Sequence, residues 1–347
     1  MTGALKGVIL TANPGEGDSA GWHSGTGMLL PMANVPMIER ILDEYERAGV
    51  KETLIAAGKD TREAASNCGS GARWNMVLTY HDRPEARSPH EIMKKVAAFA
   101  GEAVLLATRG PVLLNAAAYL RAVLMYDENN LRGIRLWESD GEAPGDEDGS
   151  DGGDAFGSDV GDVGAACGSD GGDGVYLLTP DVCDVINEGE GTGDRAHSIG
   201  VILNTLAGRG DRVLAMALED EPYHTGTPEA YLESNERLLE STAEDLEPPE
   251  VMADNFSSPN LVLRPPVVLD DTAELERCRI GPGVCIGPGV RIGHGAAVEH
   301  SVIMEGADIG DGASISRAII GKNASIANRS VIHGRKDRVT VACPISP

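Results

Sequence analysis

Three groups of side chains have types that could carry chemistry. A histidine can act as a general base, cysteines at C-x-x-C spacing can hold zinc, and aspartates spaced along a loop can ligate calcium. The histidines of interest are His294, His300 and His333, and the calcium candidate begins Asp146-Glu147-Asp148. That segment has Ser150 at the next ligand position and lacks a closing Glu, which favours a solvated acidic loop. The six cysteines include no C-x-x-C pair, which favours reduced packing thiols.

The three histidines lie within a six-residue repeat. Aliphatic residues recur at Leu263, Leu269, Leu275, Ile280, Ile286, Ile292, Val298, Ile303, Ile309, Ile315, Ile320, Ile326 and Ile332. This period, often followed by Gly, is typical of a left-handed parallel β-helix in which three short faces form one coil. Thirteen rungs predict about four coils in a domain over 261–347. Because no protruding loop is visible between the rungs, exposed corners are the favoured positions for these histidines.

The amino-terminal part alternates predicted strands with predicted helices. Strands are predicted at 7–10, 53–57, 103–108 and 175–178, and helices at 36–48, 89–99, 116–126, 181–186 and 228–239. The alternation predicts an α/β domain over 1–245, with a Rossmann-like, mixed and mainly parallel sheet, helices on both faces and ligands at the carboxyl ends of the strands. Residues 138–173 are predicted to be an acidic disordered insertion, and 246–260 a linker.

Composition limits the partners. Asp and Glu number 54 against 29 Lys and Arg, and a net charge of −25 repels nucleic acid and anionic membranes. Seven of the 29 cations are lysines, and with the acid excess this is typical of halophilic proteins. The apolar run at 8–10 is too short for a signal peptide or a membrane span. We therefore expect an acidic, cytoplasmic protein that binds neither nucleic acid nor membrane.

Three segments resemble the sugar-1-phosphate nucleotidylyltransferases. They are Lys6-Gly-Val-Ile-Leu-Thr-Ala-Asn-Pro-Gly15 followed by Met28-Leu-Leu-Pro-Met-Ala-Asn-Val-Pro-Met-Ile38, then Gly174-Val-Tyr-Leu-Leu-Thr-Pro-Asp181, and Thr225-Gly-Thr-Pro-Glu-Ala-Tyr-Leu-Glu-Ser-Asn235. Many members of that family, including some that make GDP-mannose or ADP-glucose, also carry a carboxyl-terminal hexapeptide β-helix. The resemblance implies an activity that joins a sugar 1-phosphate to a nucleoside triphosphate and releases pyrophosphate. It also implies that two Asp residues bind Mg²⁺.

The chain departs from this family at the positions that face phosphate and metal. Where the family has Thr-Arg in its Gly-rich loop and Lys after Pro, this chain has Glu16, Gly17 and Gly27. The two metal positions are Pro111 and His224. We therefore expect no catalytic residues and no metal site, with Mg²⁺ required only if the protein is active. The resemblance implies nucleotide or sugar contacts at Ala12, Asn13, Gly15, Gly174, Tyr176 and Gly226.

These residues favour a catalytically degenerate homologue that acts as a regulatory, sugar-nucleotide-sensing or scaffolding subunit. Its expected partners are further copies through the β-helix, an active homologue, and a sugar nucleotide. A divergent active enzyme is the first alternative, in which Arg73, Arg83, Arg87 or Arg109 replaces the missing cations. A hexapeptide acyltransferase with one of the three histidines as base is the second.

Overall fold

The computed structural model describes residues 4–10, 27–56, 58–81, 89–129, 131–137, 160–162, 174–180, 182, 185–186, 199–245 and 260–343. Contacts group these residues into two compact units. The amino-terminal unit contains 4–10, 27–29 and the described part of 38–222. The carboxyl-terminal unit contains 30–37 and the described part of 223–343.

The elements before the β-helix alternate as expected. The helices are α1 (Met37–Arg47), α2 (Thr61–Cys68), α3 (Pro89–Ala100), α4 (Ala116–Asn129), α5 (Ile199–Gly208) and α6 (Pro228–Asp245). The strands are β1 (Leu5–Leu10), β2 (Pro31–Met32), β3 (Val35–Pro36), β4 (Glu52–Ala56), β5 (Val77–Tyr80), β6 (Val104–Arg109), β7 (Val112–Leu113), β8 (Gly133–Trp137), β9 (Val160–Asp162), β10 (Gly174–Leu178), β11 (Val213–Ala217) and β12 (Tyr223–His224).

The amino-terminal unit is built on one sheet of eight strands in the order β5-β4-β1-β6-β10-β8-β11-β9. β5, β4, β1 and β6 run parallel, β10 is antiparallel to both of its neighbours, and β9 is antiparallel to β11. The predicted mixed sheet is therefore confirmed. Two parallel strands need a crossover, which explains why helices connect the first strands.

Helices cover both faces of this sheet. On one face, apolar residues of α3 and α5 pack against alternate residues of the strands in one buried cluster. On the other face, Tyr45 of α1 lies so close to β1 that a Cβ at Gly7 would sit 2.6 Å from its ring. Gly7 is therefore the residue that allows α1 to approach the sheet.

The sequence analysis missed several short elements. α2, α5, β5, β8, β9 and β11 were not predicted, because each is short and lacks clear start and stop signals. β9 also corrects the prediction of disorder over 138–173. The pairing of Val160 with Met216 and of Asp162 with Leu214 supplies backbone hydrogen bonds that composition alone does not indicate. The rest of that insertion, including the calcium candidate, lies outside the described residues.

The carboxyl-terminal repeat forms the predicted coil of parallel strands. The strands are β13 (Val262–Leu263), β14 (Val267–Leu269), β15 (Glu274–Leu275), β16 (Arg279–Ile280), β17 (Val284–Ile286), β18 (Arg291–Ile292), β19 (Ala297–Glu299), β20 (Ser301–Ile303), β21 (Asp308–Ile309), β22 (Ser314–Ser316), β23 (Ala318–Ile320), β24 (Ser325–Ile326), β25 (Val331–His333) and β26 (Thr340–Ala342). They form three parallel sheets of five, five and four strands, so the coil is longer than the four turns predicted. The extra strand, β26, follows a loop at 334–339 that the sequence analysis did not find.

Every rung predicted from the repeat points into this coil. Its interior is a single cluster of aliphatic and small residues, of which Ile280, Ile286 and Ile303 are fully buried. The three outer faces differ. Glu274 and Arg291 form an exposed ion pair of 3.1 Å on one sheet, whereas Cys285, Val302 and Ile319 on another are buried where α6 packs against β20 and β23.

A buried asparagine on α6 organises the carboxyl-terminal unit. Asn235, which is 1% exposed, accepts a hydrogen bond from the Ala33 amide at 2.8 Å and donates one to the Tyr231 carbonyl at 2.9 Å. Tyr231 in turn donates to the Pro31 carbonyl at 2.6 Å, and Asn34 donates to the Ile286 carbonyl at 2.6 Å. The β2–β3 hairpin therefore packs with α6 and the β-helix, although it precedes them by two hundred residues.

No helix in the described ranges combines the length and hydropathy needed to cross a bilayer.

Candidate functional site

The carboxyl edge of the central sheet brings together three parts of the family-like sequence. Arg109, the last residue of β6, is in register with Leu10 of β1 and with Gly174 of β10. The Gly110 amide also donates a hydrogen bond to the Leu10 carbonyl at 2.9 Å. The chain leaves β1 at this point, so the predicted nucleotide loop begins beside Arg109. The loop itself, at 11–26, lies outside the described residues together with Ala12, Asn13, Gly15, Glu16 and Gly17.

Arg109 is the buried cation of this edge. The residue is 9% exposed and makes at least one interaction of its own. A guanidinium taken out of water is costly unless an acceptor or an anion is close, and its planar donors suit phosphate oxygens. The sequence analysis named Arg109 only as a replacement cation. The structure shows that Arg109 lies at the end of β6, beside β1 and β10.

Pro111, at the first metal position of the family pattern, lies two residues after Arg109. Gly110, with φ of 75°, turns the chain, and Pro111 after it is buried. Neither residue carries an oxygen ligand on its side chain, whereas Mg²⁺ is usually held by one or two carboxylates. This segment therefore lacks the chemistry that the family resemblance implies for a metal position.

Two of the predicted contact residues lie on β10. Gly174 is buried opposite Arg109, and a Cβ there would lie 3.7 Å from the Tyr176 hydroxyl and 3.9 Å from the Leu136 carbonyl oxygen. Tyr176 is fully buried and belongs to the apolar cluster under α3 and α5. Its burial gives the ring a packing role, and ligand contact at either residue stays a prediction.

Gly27 occupies the position of the family's lysine. Its φ of 80° lies in the left-handed region, where glycine is favoured over residues with a Cβ. Gly27 is also buried. The local backbone therefore fits glycine and would be strained by a lysine.

His224 and Gly226 belong to the carboxyl-terminal unit. The His224 amide donates to the Ser234 hydroxyl at 2.9 Å, and the residue is half-buried at the end of β12. Among the described residues, no atom lies within 4 Å of where a Cβ of Gly226 would stand. Within the described ranges no group of three His, Cys, Asp or Glu side chains is arranged to hold a metal.

A tyrosine that the sequence analysis missed supports the end of β6. The Tyr45 hydroxyl lies 3.2 Å from the Val8 carbonyl, 3.0 Å from the Leu106 carbonyl and 2.9 Å from the Thr108 hydroxyl. Burial raises the pKa of Tyr45 well above its usual range, so the hydroxyl is a permanent donor. In the sequence, the one sign of this contact is Thr108, a polar residue near the end of the apolar strand β6.

Glu44 is the second supporting residue that the sequence analysis missed. Its carboxylate accepts a hydrogen bond of 2.7 Å from the Ala116 amide at the start of α4 and pairs with Arg47. Burial is the main cause that raises the Glu44 pKa above the ordinary 4.5. A carboxylate is favourable at a helix amino terminus, so Glu44 fixes α4 shortly after Pro111.

Of the three other replacement cations the structure describes Arg73, and it describes all three β-helix histidines. Arg73 is paired with Glu39 at 2.5 Å and lies over the Trp74 ring, while Arg83 and Arg87 are not described. The histidines each have a neighbour on their own unit: His294 with Glu276 at 2.7 Å, His300 with Glu236 at 2.9 Å and His333 with Ser314 at 2.9 Å.

Comparisons with known proteins found a family model and a relative that each match part of the chain. Residues 263–343 match the family described as GMPPB C-terminal domain. The low-salt glycan biosynthesis nucleotidyltransferase Agl11 of Haloferax volcanii is 24% identical over 243 residues, which cover 68% of this chain. The matched region is 66% of Agl11, so the chain spans just under two thirds of that relative.

A solved structure shares the fold. It is a Bacillus anthracis protein named "Putative Glucose-1-Phosphate Thymidylyltransferase" in complex with a sucrose, with a TM-score of 0.51 and 16% identity, covering 70% of this chain and 97% of that one. Residues 6–10, 28–38, 174–180 and 225–235 of the family-like segments are described, and they lie between β1 and α6. The family model therefore covers the carboxyl-terminal strands, a relative named as a nucleotidyltransferase is similar over 68% of the chain, and the solved structure shows a shared fold.

Proposed function

We propose that this protein binds a sugar nucleotide or a related phosphate ester but does not itself join nucleotide to sugar, and that it serves as a regulatory or scaffolding member of its family. One observation carries the proposal. β6 is followed by Gly110-Pro111, so these two residues and Arg109 at its end place a buried arginine, and no carboxylate of their own, where the chain enters the predicted nucleotide loop.

The electrostatics of this edge favour anion binding over metal-assisted transfer. A buried guanidinium attracts phosphate through charge-assisted hydrogen bonds and repels a divalent cation nearby. Transfer between two phosphates depends on neutralising their negative charge, and Mg²⁺ is the usual means. Loss of one such contact commonly costs on the order of 10² to 10³ in rate. Pro111 and His224 together replace both metal carboxylates of the family pattern.

The expected partners follow from the same proposal. A noncatalytic member can act by binding an active homologue or further copies of itself, and the β-helix offers exposed faces for either. The nucleotidyltransferase Agl11 and the thymidylyltransferase-like structure suggest nucleoside diphosphate sugars as the first ligands to test.

A divergent enzyme is the second candidate, and Arg109 is also the observation that favours it. In that case the guanidinium takes over part of the charge neutralisation that a missing loop cation supplies in the family. The two candidates differ in one measurable product, because only the enzyme releases pyrophosphate from a nucleoside triphosphate and a sugar 1-phosphate.

The deciding experiment measures pyrophosphate release and ligand binding on the same preparation. ATP, GTP, UTP and dTTP are each combined with glucose 1-phosphate or mannose 1-phosphate and Mg²⁺, and sugar nucleotides are titrated by calorimetry without added substrate. We expect no pyrophosphate above the protein-free blank and saturable binding of at least one sugar nucleotide. Mg²⁺-dependent pyrophosphate release would overturn the proposal in favour of the enzyme.

Arg109 variants test where the ligand binds. Arg109→Met removes the cation and should weaken sugar-nucleotide binding about tenfold or more, whereas Arg109→Lys should retain part of it. Arg121→Met is the control, because Arg121 lies on α4 in an ion pair with Glu219. Equal binding by Arg109→Met and Arg121→Met would place the ligand elsewhere.

A further inference from the structure

The loop at 334–339 carries an exposed cluster of cations that the proposed function does not use. We define the basic corner as Arg317, Arg335, Lys336 and Arg338. The Gly334 amide donates to the Ser316 carbonyl at 2.8 Å and the Thr340 amide to the Arg317 carbonyl at 3.3 Å. These bonds hold both ends of the loop against the coil at Arg317.

The loop presents two arginines side by side. Arg335 and Arg338 exchange backbone hydrogen bonds of 2.8 and 3.2 Å around a turn formed by Lys336 and Asp337. Residues opposed in this way project their side chains to the same face, and like charges directly opposite destabilise a strand pair. An anionic partner between the two guanidinium groups would remove this repulsion.

The basic corner lies in a part of the chain that is poor in acids. Residues 312–343 contain six Lys and Arg but one acid, Asp337, although acids outnumber cations almost two to one in the whole chain. Several other cations have carboxylate partners, as in Lys6 with Glu52 and Lys322 with Glu305. Among described residues, the four side chains of the basic corner take part in no ion pair, and those of the loop are exposed.

Nearby acids do not neutralise the loop. Glu229 at the start of α6 is the acid that contacts it, and its carboxylate accepts a hydrogen bond from the Val339 amide at 3.0 Å. That bond anchors the loop backbone and leaves the arginine side chains unpaired. The cluster is therefore fixed in place but not charge-balanced within the chain.

The shape of the loop selects the class of partner. Small ligands bind in concave pockets that enclose them, whereas an exposed turn contacts the surface of a macromolecule. Nucleic acid is disfavoured by the net charge of −25. An acidic protein surface is therefore the favoured partner. Every copy of this chain supplies such a surface, at the same concentration as the basic corner. Outside 263–343 the chain carries 45 Asp and Glu against 19 Lys and Arg.

We propose that the basic corner docks on an acidic surface of the amino-terminal part of a second copy of this chain. Such a contact joins two unlike surfaces. It either occurs twice about a two-fold axis, as in an isologous dimer, or is heterologous and forms a ring or a filament. Salt screens the repulsion between two acidic chains beyond about 8 Å at physiological ionic strength, while the opposed charges at the contact lie within that length. This inference does not depend on whether the protein is an enzyme.

Self-association of the full chain tests the proposal. Mass is measured by sedimentation velocity across a concentration series, from about 0.15 M salt upward. The variant Arg335→Ser/Arg338→Ser should associate about tenfold more weakly or worse than the native chain. Arg291→Ser/Lys322→Ser is the matched control: it removes the same charge from the same coil, at residues paired with Glu274 and Glu305. Thermal unfolding of both variants confirms that the coil remains folded.

Cross-linking identifies the surface that is contacted. A carbodiimide couples the Lys336 amine to a carboxylate that it touches, and mixing ¹⁴N- and ¹⁵N-labelled chains separates links between copies from links within one. We expect links between copies from Lys336 to acids outside 263–343. A monomeric native chain, equal masses for both variants, or links confined to 263–343 would each overturn the proposal, as would a loss of oligonucleotide or phosphate binding in the double variant with no change in mass.

Discussion

The α/β unit and the β-helix are stabilised in different ways. The α/β unit buries large polar-tipped side chains, including Tyr45, Tyr119, Tyr176 and Trp74, and specific hydrogen bonds order Tyr45 and Trp74. Residues 263–343 contain no aromatic residue, and their interior repeats small aliphatic contacts from coil to coil. The two regions also divide the charge, since 263–343 carry ten cations and nine acids while the rest of the chain carries 45 acids and 19 cations.

This difference indicates which substitutions each region tolerates. A repeating coil can exchange one aliphatic side chain for another, but at some corners, such as Gly281, Gly287 and Gly293, its backbone passes too close to itself to admit a Cβ. The α/β unit has fewer such close approaches, and it depends instead on single hydroxyl and carboxylate groups. Four substitutions, each with a matched control where the chain offers one, test this contrast.

The largest effect is expected from a backbone corner of the β-helix. At Gly281, φ is 97° and an added Cβ would lie 1.9 Å from the Arg264 carbonyl oxygen. Gly281→Ala should therefore destabilise the coil by more than about 4 kcal/mol. Gly289→Ala is the control, because Gly289 has φ of 62° but no atom within 4 Å, and it should cost only about 1 kcal/mol of left-handed strain. Chemical denaturation compares them, and equal losses would argue against crowding as the cause.

The next effect concerns the point where the hairpin joins the coil. Asn235→Ala removes an acceptor for the Ala33 amide and a donor to the Tyr231 carbonyl in a site without water access, and should cost about 3 kcal/mol. Asn34→Ala, which loses one partly buried bond to Ile286, should cost about 1 kcal/mol. Urea midpoints measure both. A loss at Asn235 no greater than at Asn34 would contradict its central role.

Two neighbouring tyrosines separate packing from hydrogen bonding in the α/β unit. Their rings meet edge to face with centroids 5.6 Å apart, but the Tyr119 hydroxyl is buried without a hydrogen-bond partner in the described structure. Tyr45→Phe should cost about 1–2 kcal/mol, whereas Tyr119→Phe should be neutral or stabilising. Thermal unfolding at one pH distinguishes them, and similar losses would mean that the hydroxyl network contributes little.

The smallest effect is a pH dependence at Glu44. Because the folded pKa is raised above 4.5, the folded state holds this proton more tightly than the unfolded chain, so ionised Glu44 lowers stability as pH rises through that interval. Glu44→Gln should therefore gain stability relative to the native chain on going from about pH 4 to pH 7, by less than about 1 kcal/mol. Denaturation curves at the two pH values give this difference, and an unchanged difference would show that burial of Glu44 carries no cost.

The β-helix could be predicted almost completely because each rung is encoded by its own six residues. The prediction was wrong where that rule breaks: nine residues separate Ile332 from Val341, so the loop at 334–339 and the strand after it were missed. In the α/β unit the first strands and helices were predicted, since each has its own apolar period and stop. The register that places Leu10 and Gly174 on either side of Arg109 could not be predicted, because β10 pairs with β6 in the antiparallel direction.

The β2–β3 hairpin has a consequence for dissecting the molecule. Residues 223–347 are contiguous and look like an independent segment, yet the piece that satisfies Asn235 and Tyr231 comes from 30–37. Expressed alone, that segment would present an unfilled groove lined by polar atoms and would be prone to aggregate. Adding a synthetic peptide of the hairpin residues should restore its solubility, which makes this protein a natural candidate for fragment complementation.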